Sequence, residues 1–299
     1  MPGNHDVNWE SINVENDEAL TLKLSSARNI DEYQRALSTH LVNKDQAHER
    51  ELSFYPLGAF DQFLKDASVL SQPVEQHGYY FTTSLEKHGV RLGVAGLNSA
   101  WHSASRKVAD IKDFERLALG LPQLKYSLEK MATLRVDAAV ALLHHPPMSN
   151  WYSPYEQDLQ REELQKFDFI LHGHEHRDNT VQLKFLDQHD AMILGAGALY
   201  VGGGYPKTFK VFRFNLDGLV YQVYFWRYSE ERRAWIPDTG PYWPMGYLQG
   251  ALGDRLRLRH HVRGTVTPLI TNRRRAQRLP ESPLRTQKSK SSRRPIPAE

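Results

Sequence analysis

Three short histidine-rich motifs hold the residues best suited to chemistry. In chain order they are Gly3-Asn4-His5-Asp6, Leu143-His144-His145-Pro146-Pro147 and His172-Gly173-His174-Glu175-His176. Imidazole, amide and carboxylate groups bind divalent ions such as zinc, manganese and iron. The sequence contains no cysteine, which excludes disulfides, thiolate metal sites and cysteine nucleophiles. The motifs therefore predict a metal centre built from histidine and oxygen ligands.

The second and third motifs share one structural context. Residues 138–143 form a continuous apolar run that ends at His144, and residues 167–171, apolar except for Asp168, form a second run that ends at His172. Such runs are typical of strands buried on both faces, and a helical pattern precedes each of them. In open α/β sheets, ligands bind beyond the carboxyl ends of the strands. Two histidine motifs at two such ends can converge on one ion.

The remaining periodic segments predict a mixed α/β fold. The expected helices cover residues 30–41, 57–70, 111–118, a segment that starts at Pro122, and 155–167. Besides the two apolar runs, the expected strands cover residues 79–84, 90–98, 191–199, 208–216 and 219–228. Asp217-Gly218, between the last two strands, is a strong hairpin signal.

The ordered set of Gly-Asn-His-Asp, His before Pro-Pro, and Gly-His-x-His resembles the calcineurin-like metallophosphoesterases. The full family pattern is Asp-x-His, Gly-Asp, Gly-Asn-His-[Asp/Glu], His and Gly-His-x-His. The last three of these blocks occur here in order, within residues 1–228. The resemblance implies an α/β fold, a calcineurin-like phosphoesterase sandwich of α/β/β/α layers that lacks its opening strands.

The resemblance also implies a role for each matching residue. Asn4, His144 and His174 would bind one divalent ion, and His176 would bind the other. His5 would act as general acid to the leaving oxygen or stabilise the transition-state charge. Two ions, of manganese, iron or zinc, would activate a hydroxide that attacks the phosphorus of a phosphoester substrate. An extended His-x-His segment would place both of its imidazoles on one face.

The Asp-x-His and Gly-Asp blocks have no counterpart here, and they are expected upstream of Gly3. In the family they supply carboxylates, including the one that bridges both ions. Asp6 can orient His5 but cannot replace that bridge. Two explanations stay open: a truncated sequence of a metal-dependent phosphoester hydrolase, or a catalytically dead chain that acts by binding a partner.

Further polar residues are candidates for the pocket. His145 is expected to contact backbone or line the site. Asn98 and His102 end or follow the predicted strand 90–98 and are expected to reach the site from another strand end. Together with Asp6, they form the set of possible pocket residues.

The composition changes toward the C-terminus. Residues 229–250 are expected to form an aromatic, proline-rich extension, and residues 251–299 a basic, largely disordered tail. The tail contains 13 Lys or Arg and 3 Asp or Glu, a net charge of about +10. Nucleic-acid binding through residues 251–299 is therefore a third functional hypothesis.

No apolar run reaches the roughly 18 residues that a membrane span needs. The N-terminus does not have the pattern of a signal peptide. The sequence therefore predicts a cytoplasmic protein without a membrane partner.

Overall fold

A computed structural model describes residues 2–3, 6–66, 75–76, 79–87, 89–103, 115–175, 180–183, 191–197, 207–215, 220–239 and 246–251. These residues form a mixed α/β fold in which helices accompany two β-sheets. The helices are α1 (Val14–Ser25), α2 (Ile30–Val42), α3 (Ala47–Phe54), α4 (Gly58–Asp66), α5 (Leu121–Leu134) and α6 (Pro154–Leu164). The strands are β1 (Glu75–Gln76), β2 (Phe81–Lys87), β3 (Val90–Gly96), β4 (Ala138–Leu143), β5 (Phe169–His172), β6 (Thr180–Leu183), β7 (Ala191–Gly195), β8 (Thr208–Asn215), β9 (Val220–Ser229), β10 (Ala234–Pro237) and β11 (Tyr247–Ala251).

Local sequence explains several helix starts. Asn13 and Asn29 precede α1 and α2, and their side-chain oxygens accept hydrogen bonds from backbone N–H groups of the first turn. Ser153 caps α6 in the same way, and Pro154 occupies its first position, where a missing N–H costs nothing. These helices therefore begin where the sequence supplies a capping oxygen.

The first sheet has the strand order β1-β2-β3-β4-β5-β7-β6. The pairs β3–β4, β4–β5 and β5–β7 are parallel, whereas β1–β2, β2–β3 and β6–β7 are antiparallel. α5 connects β3 to β4, and α6 connects β4 to β5. Leu143 pairs with His172, so the carboxyl ends of β4 and β5 lie side by side.

The second sheet is antiparallel and is centred on β9. β8 pairs with one edge of β9, and β10 and β11 pair end to end along the other edge. Two strands of the 229–250 segment thus belong to this sheet, and the fold continues past the boundary predicted at residue 228. The first residue of the predicted disordered tail 251–299 is the last residue of β11, and residues 252–299 lie outside the described residues.

Three buried clusters separate the layers. One joins α5 and α6 to one face of the first sheet, with Leu124, Leu164 and Ile170 fully buried. The opposite face of that sheet packs on the second sheet through Phe169, Val223 and other apolar side chains. The N-terminal helices form the remaining cluster, to which α6 also contributes. Among the described residues, the cluster between the two sheets contains no helical side chain, whereas the other two clusters do. The α/β/β/α layer order stays a prediction.

One predicted helix is wrong over its described part. Residues 111–118 were expected to be helical, but 115–117 form a turn and a bridge in which Leu117 pairs with Tyr152. The Glu115 N–H donates to the Asn150 carbonyl at 2.8 Å, and the Leu117 N–H donates to the Trp151 carbonyl at 2.9 Å. Backbone groups that would otherwise form a helix are satisfied by these tertiary hydrogen bonds. Residues 111–114 lie outside the described residues.

The other predicted segments are confirmed with shifted ends. The helix predicted at 57–70 is described from Gly58 to Asp66, and residues 67–70 lie outside the described part. The strand predicted at 191–199 ends at Gly195. β8 and β9 pair as the predicted hairpin, whose turn at Asp217-Gly218 lies outside the described residues. No described helix is both long and apolar enough for a membrane span.

Candidate metal centre

The carboxyl ends of β4 and β5 bring three histidines together. His144 and His145 follow β4, and His174 follows β5. The ring centroids lie 4.9 Å apart for His144 and His145, 5.1 Å for His144 and His174, and 4.5 Å for His145 and His174. One nitrogen from each ring lies within 4.8 Å of the others, so this histidine triad could hold a metal ion.

His145 is the most enclosed member of the triad. Its Nδ1 atom and its backbone N–H each lie 3.0 Å from the Ser99 hydroxyl oxygen, which can accept from both. Its Nε2 atom is buried and has no hydrogen-bond partner among the described residues. Burial, reinforced by His144 and His174, lowers the pKa of His145 to about 2. The ring is therefore neutral, which is the form that binds a metal.

The first motif lies against this triad. A Cβ atom on Gly3 would stand 2.6 Å from the His144 ring, so a larger residue would force one of the two to move. The Asp6 carboxylate accepts from the Gly3 N–H at 2.8 Å, and the Asp6 N–H donates to the Gly3 carbonyl at 3.0 Å. Asp6 thus closes the turn that holds Gly3 beside His144. Asn4 and His5, predicted as ligand and general acid, lie outside the described residues.

His174 joins the triad from a bend. β5 ends at His172, and His174 has φ 71°, in the left-handed region. The expectation of an extended His-x-His segment is therefore wrong at His174. A side chain in this region costs about 1–2 kcal/mol, and such strain concentrates at functional sites. His176, predicted as a ligand of the other ion, lies outside the described residues.

Two neighbours of the triad were missed from the sequence. Ser99 follows Asn98 just beyond β3, and the parallel pairing of β3 with β4 places it beside His145. That strand-end position was the signal that could have identified it. Trp151 packs edge-on against His174 with 4.7 Å between ring centroids, and it belongs to no motif. Together they enclose the triad on two sides.

The other predicted pocket residues have different surroundings. The Asn98 side chain accepts from the Ala100 N–H at 3.0 Å and so shapes its own loop. His102 is buried in the helical layer, where its Nε2 atom lies 3.3 Å from the Thr21 hydroxyl and 3.6 Å from the Asp17 carboxylate. Burial, followed by the charge of Arg116, holds the pKa of His102 well below its usual value. His145, expected only to line the pocket, belongs to the triad itself.

The comparisons with known proteins add no relative. A scan of protein-family models and a search of curated proteins both find no match for this chain. The chemical interpretation therefore depends on the donor set. Three imidazoles at two adjacent strand ends suit a borderline divalent ion, and one of them, His145, has a buried nitrogen without a hydrogen-bond partner among the described residues.

Proposed function

We propose that this chain belongs to a metal-dependent phosphoester hydrolase whose ions bind at the carboxyl ends of β4 and β5. The observation that carries the proposal is the histidine triad, with its ring nitrogens within 4.8 Å of one another. Two stacked sheets, a helical layer and the contact between Gly3 and His144 also suit the calcineurin-like sandwich that the motifs resemble.

The surroundings of His145 support its role as a metal ligand. Metal-binding histidines commonly donate their second ring N–H to an oxygen, which fixes the tautomer. The Ser99 hydroxyl occupies that position at Nδ1, and Nε2 is left without a hydrogen-bond partner among the described residues. The proposal therefore adds His145 to the ligands His144 and His174.

The chemistry follows from the donor set. When bound, a zinc, manganese or iron ion would supply Lewis-acid stabilisation of a phosphoryl group and lower the pKa of a water ligand. The triad would hold the ion in a site that Trp151 shields on one side. The proposal retains Asn4 and His176 as further ligands for a two-ion site and His5 as the group that protonates the leaving oxygen.

One observation favours a second candidate, a chain that binds a partner without catalysis. The triad consists of three imidazoles, and no carboxylate of the described residues belongs to it. Carboxylates offset the charge of paired divalent ions, so a site without them would hold an ion more weakly. Metal binding without hydrolysis would support this candidate.

The two candidates are separated by measuring metal content and hydrolysis on the same samples. Cobalt(II) absorption reports binding, and release of nitrophenolate from bis(4-nitrophenyl) phosphate reports turnover. His145→Ala and His174→Ala are expected to lower metal affinity by more than about tenfold and to abolish turnover. His48→Ala, at an exposed helical position, is the matched control. Equal cobalt binding by all of these variants would reject the site, and binding without turnover in the unaltered chain would favour the second candidate.

A further inference from the structure

A cavity of about 390 Å³ lies between the end of α2, α3, the segment before β2 and the first turns of α5. This volume is in the range of small-molecule sites, which are mostly apolar with a few polar groups that orient the ligand. None of its described lining residues belongs to the histidine triad or to the three histidine-rich motifs. Its apolar and aromatic walls are formed chiefly by Leu41, Val42, Phe54, Tyr79, Tyr80 and Tyr126.

Aromatic rings give this cavity flat walls. Phe54 on α3 lies parallel to Tyr79, with 4.6 Å between ring centroids and 9° between planes. Tyr80 packs edge-on against Tyr79 at 5.3 Å. On the other side, Tyr126 is 47% exposed and Val42 is 45% exposed, so the cavity is open to solvent there. A flat apolar ligand can therefore enter and contact the rings, which favour stacked or edge-on partners.

Arg50 supplies the charge of the cavity. Of the described residues that line it, only Arg50 is charged at neutral pH. The Arg50 Nη1 group donates to the Leu41 carbonyl at 3.2 Å and to the Asn43 carbonyl at 3.1 Å, which holds the guanidinium at the end of α2. These two bonds use both Nη1 hydrogens.

The opposite edge of the same guanidinium is available to a ligand. The Arg50 Nε and Nη2 groups have no hydrogen-bond partner among the described backbone and side-chain groups. This edge is the one that can bind a carboxylate through two parallel hydrogen bonds. A single positive charge in an apolar cavity therefore favours an anionic ligand over a cationic one.

A tyrosine hydroxyl lies within electrostatic range of the guanidinium. Burial raises the pKa of Tyr79, and Tyr80 and Tyr126 act in the same direction, whereas the charge of Arg50 lowers it. The Tyr79 phenol is therefore neutral at physiological pH and can donate a hydrogen bond to an anion. Arg50 and Tyr79 thus offer a positive charge and a neutral donor to the same apolar space.

We propose that this cavity binds a small molecule in which a flat apolar ring system carries a carboxylate. The rings of the ligand would pack against Tyr79 and Tyr126, and its carboxylate would accept hydrogen bonds from the free edge of Arg50. Guanidinium and carboxylate match in both geometry and charge, whereas a cationic ligand would be repelled. This inference goes beyond phosphoester hydrolysis and does not depend on the histidine triad.

The test compares 2-naphthoate with 2-naphthamide by isothermal titration calorimetry of the full chain. The two probes share one ring system and differ in the negative charge. We expect 2-naphthoate to bind with a Kd below about 1 mM and 2-naphthamide to bind about tenfold more weakly. Equal affinity for the two probes, or no binding of 2-naphthoate at about 1 mM, would overturn the proposal.

Variants locate the binding site. Arg50→Gln is expected to weaken 2-naphthoate binding about tenfold and to leave 2-naphthamide binding unchanged. Arg28→Gln, at an exposed arginine next to α2, is the matched control and should change neither. Val42→Trp adds a large side chain at an exposed position of the cavity and should weaken both probes without removing a hydrogen bond of Arg50. Thermal melting confirms that each variant is folded. Binding of 2-naphthoate that is unchanged in Val42→Trp and in Arg50→Gln would place the probe elsewhere and overturn the assignment.

Discussion

The Nε2 atom of His144 and the Nδ1 atom of His174 lie 3.1 Å apart, although the two residues follow different strands. Parallel pairing of β4 with β5 produces this contact, because it aligns Leu143 with His172 and so brings the following loops together. The Gly173 N–H donates to the His144 carbonyl at 3.0 Å and ties the loops at their base. The positions of both imidazoles are therefore set by the sheet.

Removal of the Ser99 hydroxyl should weaken metal binding without removing a ligand. Ser99→Ala deletes the oxygen that lies 3.0 Å from His145 Nδ1. Loss of a hydrogen-bond partner of a metal-binding histidine typically lowers metal affinity about 10–100-fold. Cobalt titration followed by visible absorption measures the change. Ser127→Ala is the matched control, because its buried hydroxyl has no partner among the described residues. Equal affinities of the two variants would contradict the orienting role of Ser99.

A methyl group on Gly3 should disturb the triad. In Gly3→Ala the new Cβ would stand 2.6 Å from the His144 ring, so the ring or the turn must shift. We expect weaker cobalt binding and a changed absorption spectrum. Gly58→Ala supplies the control, since its Cβ would meet nothing within 4 Å. Unchanged cobalt affinity in Gly3→Ala would show that the first motif does not constrain His144.

The ion pair between Asp17 and Arg116 should contribute strongly to stability. Two Arg116 hydrogen bonds reach the Asp17 carboxylate, and the Arg116 side chain is only 5% exposed. Asp17→Ala would leave that guanidinium buried without its partner, at a cost of about 3–5 kcal/mol in the free energy of unfolding.

Urea denaturation measures this loss. Asp158→Ala is the comparison, because the Asp158–Arg161 pair is exposed and should contribute at most about 1 kcal/mol. Similar losses in the two variants would show that Arg116 finds another partner when Asp17 is removed.

Stability should fall as the pH is lowered below about 6.5. His40 is buried between helices and stacks on Trp101, and burial lowers its pKa to about 4. Below about pH 6.5 the unfolded chain binds a proton at this residue, whereas the folded protein does so only near pH 4. The stability that depends on neutral His40 is therefore fully present above about pH 6.5. It is lost as the pH falls from that value toward 4.

Thermal melting between neutral pH and pH 5 tests this dependence in the unaltered protein and in His40→Gln. Glutamine can keep the hydrogen bond to Ser53, which lies 3.0 Å from His40 Nε2, and it does not titrate. As the pH falls, the difference between the two melting temperatures should shift in favour of His40→Gln, because only the unaltered protein loses stability at this residue. A constant difference would contradict the role of His40.

Much of the fold could be predicted because its signals are local. Asn29 caps α2 where periodicity begins, and the apolar run 138–143 forms β4 as expected. The predicted helix at 111–118 failed over its described part because the carbonyls of Asn150 and Trp151, distant in sequence, accept the N–H groups of residues 115–117. Helical periodicity does not report such a long-range partner.

The sequence by itself predicted that His144 and His174 bind a metal and that two histidine motifs stand at the ends of buried strands. Only the tertiary structure decided which imidazoles meet. Parallel pairing placed Ser99 beside His145 and made His145 part of the triad, whereas His102 packs with Asp17 in the helical layer. The aromatic side chains of Phe209, Trp226 and Trp235 likewise come into contact only because β8 and β10 pair with β9. Motif spacing fixes position along the chain, but register and strand order fix distance in space.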